Sequence, residues 1–158
     1  QLDDPLGNCK NTPVEALEIA QPFFRVTRYE LRKDSGGAGR TRGGLGAVRT
    51  YDILKDRVWM SVYSDRFKTA ARGAFGGHDG TSSYIKILRQ DGSLESLSAT
   101  GGALLNAGDI LEVGIGGGAG YGNPRERARH LVEQDIINGK VSSEVAREIY
   151  GVEESSSE

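Results

Sequence analysis

Between residues 23 and 115 the chain alternates short apolar runs with clusters of glycine and polar residues. The run from Phe23 to Arg32 is rich in aromatic and β-branched residues with partial two-residue alternation, which predicts a strand with one wet face. Two more strands are predicted, Ala47 to Leu54 and Val58 to Ser64, with the polar Lys55, Asp56 and Arg57 between them as a hairpin connection. In the second of these, Val58, Met60 and Val62 share one face, and Trp59 and Tyr63 take the other. Tyr84 to Arg89 and Leu94 to Ser98 flank Asp91 and Gly92, a type I′ signal that predicts a second hairpin. The stretch Asp109 to Ile115 predicts a further strand that runs straight into glycines.

The periodicity changes at the two ends. Thr12 as N-cap, Pro13 at the first helical position and Glu15 two residues later predict a short helix from Pro13 to Ala20. Beyond the strands, Asn123 as N-cap and Pro124 open a helix with Ala128, Leu131, Val132 and Ile136 on one face and Gly139 as its stop. A second short helix begins near Ser142 or Ser143 and carries Val145, Ala146 and Ile149 to Gly151. The expected fold class is α+β, mostly antiparallel β with glycine-rich loops and a C-terminal helical hairpin. It is expected as a single domain over residues 1–158, with a β-rich body at 1–122, the helical hairpin at 123–152 and a mobile, acidic, serine-rich tail at 153–158.

A length of 158 residues suits one domain with a sizeable core. Hydrophobic residues at 37% and charged residues at 27% fit a soluble globular protein, and no apolar run reaches the 18–20 or so residues of a membrane helix. The 20 basic and 22 acidic residues are intermixed, so neither nucleic acid nor a membrane is expected as a partner. Cys9 is the sole cysteine, which excludes an internal disulfide and a multi-cysteine zinc site and predicts a reducing, cytoplasmic compartment. Opening on Gln1, without Met or a signal pattern, the chain is expected to be processed or cut from a longer one.

Glycine is the compositional outlier, with 23 residues concentrated in clusters at 35–46, 73–80 and 116–122. Such loops cradle phosphates in some proteins, but no stretch matches GxxxxGK[ST], and residues 114–120 do not satisfy GxGxxG. The favoured reading is structural, glycine allowing positive φ and close backbone packing. Loops that line a substrate or partner surface are the alternative, with Arg40, Arg42, Arg66, His78 and Asp79 as the polar groups best placed for it. His78 and Asp79 could act as an acid–base pair, although neighbours on an extended chain point apart and a loop histidine is commonly a surface hydrogen-bonder. Arg66, beside Asp65, either pairs with it or offers its fork to a carboxylate ligand. Cys9 beside Lys10 is a candidate nucleophile, and His130 is expected on a solvated helix face.

Taken in order, several runs carry a resemblance: residues 11–18 (NTPVEALE), 28–32 (RYELR), 34–40 (DSGGAGR), 42–46 (RGGLG), 116–127 (GGGAGYGNPRER) and the close at 135–152, which ends on Tyr150, Gly151 and Val152. The set resembles the C-terminal region of the hydantoinase B / 5-oxoprolinase family, which acetone and acetophenone carboxylases share. The resemblance implies part of a β subunit of an ATP-dependent cyclic amide hydrolase, inactive alone, in a hetero-oligomer with the larger remainder of that subunit and an ATP-binding α-type subunit. A ketone carboxylase subunit, or a non-catalytic assembly module of such a complex, is the alternative. ATP and Mg are then expected on the partner subunit, and any metal in the rest of the β subunit, with none bound by this chain alone. A small molecule is the expected substrate. The candidates carried forward are His78, Asp79 and Arg66 for catalysis, and Asn8, Cys9 and Arg40 for substrate binding. Gly7, Asn8 and Cys9 stand where the family commonly reads Thr-Asn-Thr, so substrate preference is expected to differ if that turn touches substrate.

Overall fold

The computed structural model describes residues 13–152. The predicted cap at Thr12, the candidates Asn8 and Cys9, and the tail at 153–158 lie outside the described residues. The elements are α1 (Val14–Ala20), β1 (Phe24–Leu31), β2 (Ala47–Ile53), β3 (Val58–Tyr63), β4 (Tyr84–Leu88), β5 (Leu94–Leu97), β6 (Thr100–Leu105), β7 (Ile110–Gly114), α2 (Arg129–Ile137) and α3 (Ser143–Val145). A 3₁₀ turn at Pro124–Glu126 precedes α2, and a π-helical turn at Ala146–Tyr150 follows α3.

Five strands form an antiparallel sheet in the order β1-β2-β7-β4-β5, and β3 and β6 form a separate two-stranded ribbon. The core fills the space between them. Ile53, Ile85, Ile87 and Leu111 come from the sheet, Val62, Ala103 and Leu105 from the ribbon, and all seven are buried. The alternation expected in β3 holds, with Val62 inside and Trp59 and Tyr63 exposed. The mostly antiparallel α+β class expected from the pattern is the class found.

Several elements differ from the expectation, each for a local reason. Strands β2 and β3 do not form a hairpin, because both edges of β2 are taken by β1 and β7. Residues 54–57 instead turn a corner between sheet and ribbon. Arg57 there has φ +61°, and its N–H donates to Asn106 Oδ1 at 3.1 Å. The β4–β5 hairpin is present, but its turn is not type I′. Gly92 has φ +84° while Asp91 has no positive φ, and the Arg89 carbonyl accepts from Gly92 N at 2.9 Å, which makes a type I turn with a glycine bulge. Strand β6 was not foreseen, since Gly101 and Gly102 interrupt its apolar alternation.

The first helix begins at Val14, with Pro13 as its N-cap and no side-chain cap bond. At the other end, the single helix expected from Asn123 to Gly139 breaks in two. Arg127 and Ala128 are extended, at ψ 132° and 127°, so the 3₁₀ turn capped by Asn123 stops before α2 begins. The break rotates the helix, so that Val132 is buried and Ile136 half-buried, while Ala128 and Leu131 are exposed. Gly139 does end α2 in a left-handed conformation, and Ser142 does cap the next helix by accepting from Val145 N. This hairpin builds a second core of Val132, Val141, Ala146, Tyr150 and Val152 against Ala38 of the first glycine loop.

The three glycine clusters lie against one another as a knot at one end of the sheet. A Cβ on Gly117 would overlap the Ser35 carbonyl, one on Gly43 the carbonyl of Gly118, and one on Gly120 the carbonyl of Ala38. Gly44 belongs to the same cluster but faces open space. Gly117→Ala is therefore expected to destabilise the fold by about 3 kcal/mol or more through backbone overlap. Gly44→Ala should stay within about 0.5 kcal/mol. Denaturant unfolding of the two variants tests this, and equal losses would show that backbone crowding is not the constraint.

Candidate functional site

Ser35, only 1% exposed, ties the three loops together. Its hydroxyl donates to the Arg32 carbonyl at 2.6 Å and accepts from Gly46 N at 2.8 Å, while its carbonyl accepts from Thr81 N at 2.9 Å. The loops then exchange backbone hydrogen bonds. Gly37 N donates to Gly118 O, Gly118 N to Gly44 O, His78 N to Ala38 O, Gly120 N to His78 O and Gly122 N to Ala74 O, at 2.7–2.9 Å. Thr41 and Tyr121 exchange both of theirs at 2.9 Å. These amides face loop carbonyls, so they are not presented to a phosphate.

Charged groups lock the knot to the helical hairpin. Asp135 on α2 accepts from Arg42 Nε at 3.0 Å, Arg42 Nη2 at 3.2 Å and Arg127 Nη2 at 2.9 Å, with the three side chains only 7%, 13% and 11% exposed in the order Asp135, Arg42, Arg127. Lys140 Nζ stands 4.0 Å away. Burial alone would raise the Asp135 carboxyl, but the Arg42 hydrogen bond and charge, joined by Arg127, hold it below the usual carboxylate range. On the first loop Asp34, at φ +59°, accepts from Ser142 N at 2.8 Å and adds a second tie to the hairpin.

The candidate residues sit at the rim of the knot or beyond it. Arg40 is exposed, with its guanidinium 3.9 Å from Glu126 and its backbone N–H donating to Gly122 O. His78 is exposed, and its backbone is built into the knot on both sides. Asp79 is exposed too, but its carboxylate accepts from Gly73 N at 2.8 Å, so it braces its own loop and does not orient the imidazole. Arg66 lies at the bend after β3 with φ +61°, its side chain exposed and its carbonyl accepting from Ser83 N. Arg42, grouped with these by sequence, is instead buried in the ion cluster. His130 is exposed on α2, as expected.

The rim also holds an aromatic pair absent from the sequence-based candidates. Phe75 and Gly76, at φ +52° and +89°, form a type I′ turn closed by Gly77 N donating to Ala74 O at 3.0 Å. Phenylalanine is disfavoured at such a φ, yet this ring is 80% exposed and rests on Tyr121 at a centroid distance of 5.1 Å. The ring thus stands at the rim in a strained conformation without a place in either core. The signal in the sequence was an aromatic residue set directly before two glycines. Ser35, Asp34 and Asp135 gave no comparable signal, because their partners are distant in the chain.

Asp135→Asn should cost about 3–5 kcal/mol, since two guanidiniums stay buried without their counter-ion. Because the folded carboxyl titrates below its unfolded value of about 3.9, its stabilisation is fully present above that pH and is lost as pH falls through the folded pKa. The acid limb of the stability profile should thus be shallower in the Asn variant, and parallel limbs would remove Asp135 from that role. Phe75→Asn installs the pair favoured in this turn and should leave stability unchanged or raise it by about 1 kcal/mol. A fall in melting temperature would show that the ring serves the fold.

Residues 4–124 match the family model described as hydantoinase B/oxoprolinase. The chain is 34% identical over 155 residues to the B-type subunit of a putative D-/L-hydantoinase from Pseudomonas sp. (strain NS671), covering 96% of this chain and 26% of that protein. It superimposes on the solved ATP-dependent caprolactamase from Pseudomonas jessenii with a TM-score of 0.75 at 30% identity, over 91% of this chain and 25% of that one. A nucleotide-free acetone carboxylase shares the fold, with a TM-score of 0.78 at 21% identity over 92% of this chain and 23% of that one. The chain thus spans about a quarter of the length of each of these three proteins. With most of its length matched by one family model and its fold shared with solved relatives, the chain belongs to the hydantoinase B/oxoprolinase family.

Proposed function

We infer that this chain forms part of the B-type subunit of an ATP-dependent cyclic amide hydrolase and supplies the glycine-knot surface to it. The main support is the 34% identity to the corresponding subunit of a putative hydantoinase across 96% of the chain. The 30% identity to a caprolactamase of the same fold supports the same chemistry, since hydantoin and caprolactam are both rings closed by an amide. Acetone carboxylase, at 21% identity, bears on the fold alone, so carboxylation is the second reading.

The amides of Gly37, His78, Gly118, Gly120 and Gly122 already bond loop carbonyls, which argues against a phosphate cradle in the knot. ATP and Mg accordingly belong on an ATP-binding α-type partner in this reading, and any metal belongs to the remainder of the B-type subunit. The work of this chain falls to side chains at the rim. Arg40 offers a guanidinium fork to the carboxylate that ring opening creates, and His78 an imidazole that can donate or accept a hydrogen bond. Asp79 positions the His78 loop, and Asn8 and Cys9 are carried as the remaining substrate-binding candidates.

The test uses the full-length subunit assembled with its ATP-binding partner. Ring opening of hydantoin, 5-oxoproline or caprolactam, with matching phosphate release, is the expected result, and the 158-residue chain alone should show none. Incorporation of labelled bicarbonate into acetone, without ring opening, would select the carboxylase reading. Arg40→Ala and His78→Ala should each lower kcat/KM at least about tenfold, or about 1.4 kcal/mol, without a shift in melting temperature. Turnover untouched by both would reduce this surface to an assembly module.

A further inference from the structure

The ribbon of β3 and β6 has one face in the core and one in solvent. On the solvent face Trp59 pairs with Leu104, Ser61 with Gly102 and Tyr63 with Thr100. Trp59 is 65% exposed, Tyr63 93% and Leu104 45%. Two rings that each bury about 150–250 Å² when covered are thus left in water on a flat surface.

The platform is also held ready. Trp59 Nε1 donates to Ser61 Oγ at 3.2 Å, which draws the indole along the strand. The ring lies across Gly102, where a Cβ would sit 2.7 Å from Cζ2, so only glycine at that position lets the indole lie flat. A fixed ring loses little freedom on docking, and Trp and Tyr supply most of the energy in buried interface centres. Lys55, Asp56 and Arg57 before β3, and Asp65, Arg66 and Lys68 after it, give the patch an exposed charged rim with more basic than acidic groups.

Resting on the family reading above, we propose that this face docks against the remainder of the same subunit, onto an apolar patch with an acidic border. The occupant follows from two solved structures in which this fold is about a quarter of one longer chain. A domain carried within such a chain meets the rest of it at high effective concentration, which favours an intramolecular cover over a second copy.

The experiment is hydroxyl-radical footprinting, read by mass spectrometry, of the 158-residue chain and of the full-length subunit, with ATP-dependent ring opening followed on the subunit assembled with its partner. Trp59 and Tyr63 should oxidise at least about tenfold more slowly in the full-length subunit than in the chain alone. Trp59→Ser with Tyr63→Ser, outward-facing and harmless to the isolated fold, should raise protease sensitivity of the full-length subunit. Equal oxidation rates in the two preparations would overturn the proposal, as would protection that appears only when the ATP-binding subunit is added or only at concentrations where the chain dimerises. Protection without turnover on any cyclic amide would count against the hydrolase reading and leave the docking face standing.

Discussion

Backbone hydrogen-bonding groups that leave water must find partners, and in this protein three loops find them in one another. Close approach of one peptide to the next is possible only where no side chain stands between them. The Ser35 carbonyl illustrates the geometry: Gly117 packs where any Cβ would overlap it, and Thr81 donates to it from a third segment. The sheet enters this arrangement through β7, which runs into the third loop, and through β2, which leaves the first. The fold is organised around peptide groups in contact at least as much as around its apolar core.

That arrangement explains why charge appears where it does. A knot of peptides has little apolar surface with which to hold a helical hairpin, so the attachment combines Ala38 with ion pairs and a cap. Asp135 receives both guanidiniums, and Asp34 holds Ser142 N, so hairpin and first loop are joined at two points about a helix apart in sequence. Arg127 Nε remains buried without a hydrogen-bond partner among the described residues, a cost the cluster carries. Buried pairs of this kind contribute specificity of packing more readily than net stability. Here they fix the angle at which the hairpin meets the loops.

What the sequence made legible follows from range. Strands with strict alternation, such as Val58 to Tyr63, and ends marked by Ser142 or Gly139 were readable because the signal and its cause lie within a few residues. The pairing of β2 with β7 was not, since the polar Lys55 to Arg57 turn looks the same whether it closes a hairpin or turns a corner between sheets. Strand β6 escaped because the glycine that accommodates Trp59 also erases the alternation. The family resemblance was legible because it rests on order along the chain, whereas the surroundings of a side chain depend on residues distant in sequence. Arg40 and His78, expected as loop polar groups, are exposed beside the knot, whereas Arg42, expected with them, is buried in the ion cluster, and Phe75 stands out only by its dihedral angle.

A rigid backbone knot constrains how such a surface can work. The amides of Gly37, His78, Gly118, Gly120 and Gly122 are taken up by loop carbonyls, so the side chains the knot displays are the groups best placed for recognition. Arg40 and His78 stand exposed on backbone that the loops hold by hydrogen bonds. At Phe75 a left-handed conformation falls on an aromatic residue whose ring the core does not use. The ribbon carries its aromatic face on strands that take no part in the knot's hydrogen bonds. One small fold can then serve enzymes that share an assembly while differing in what they act upon.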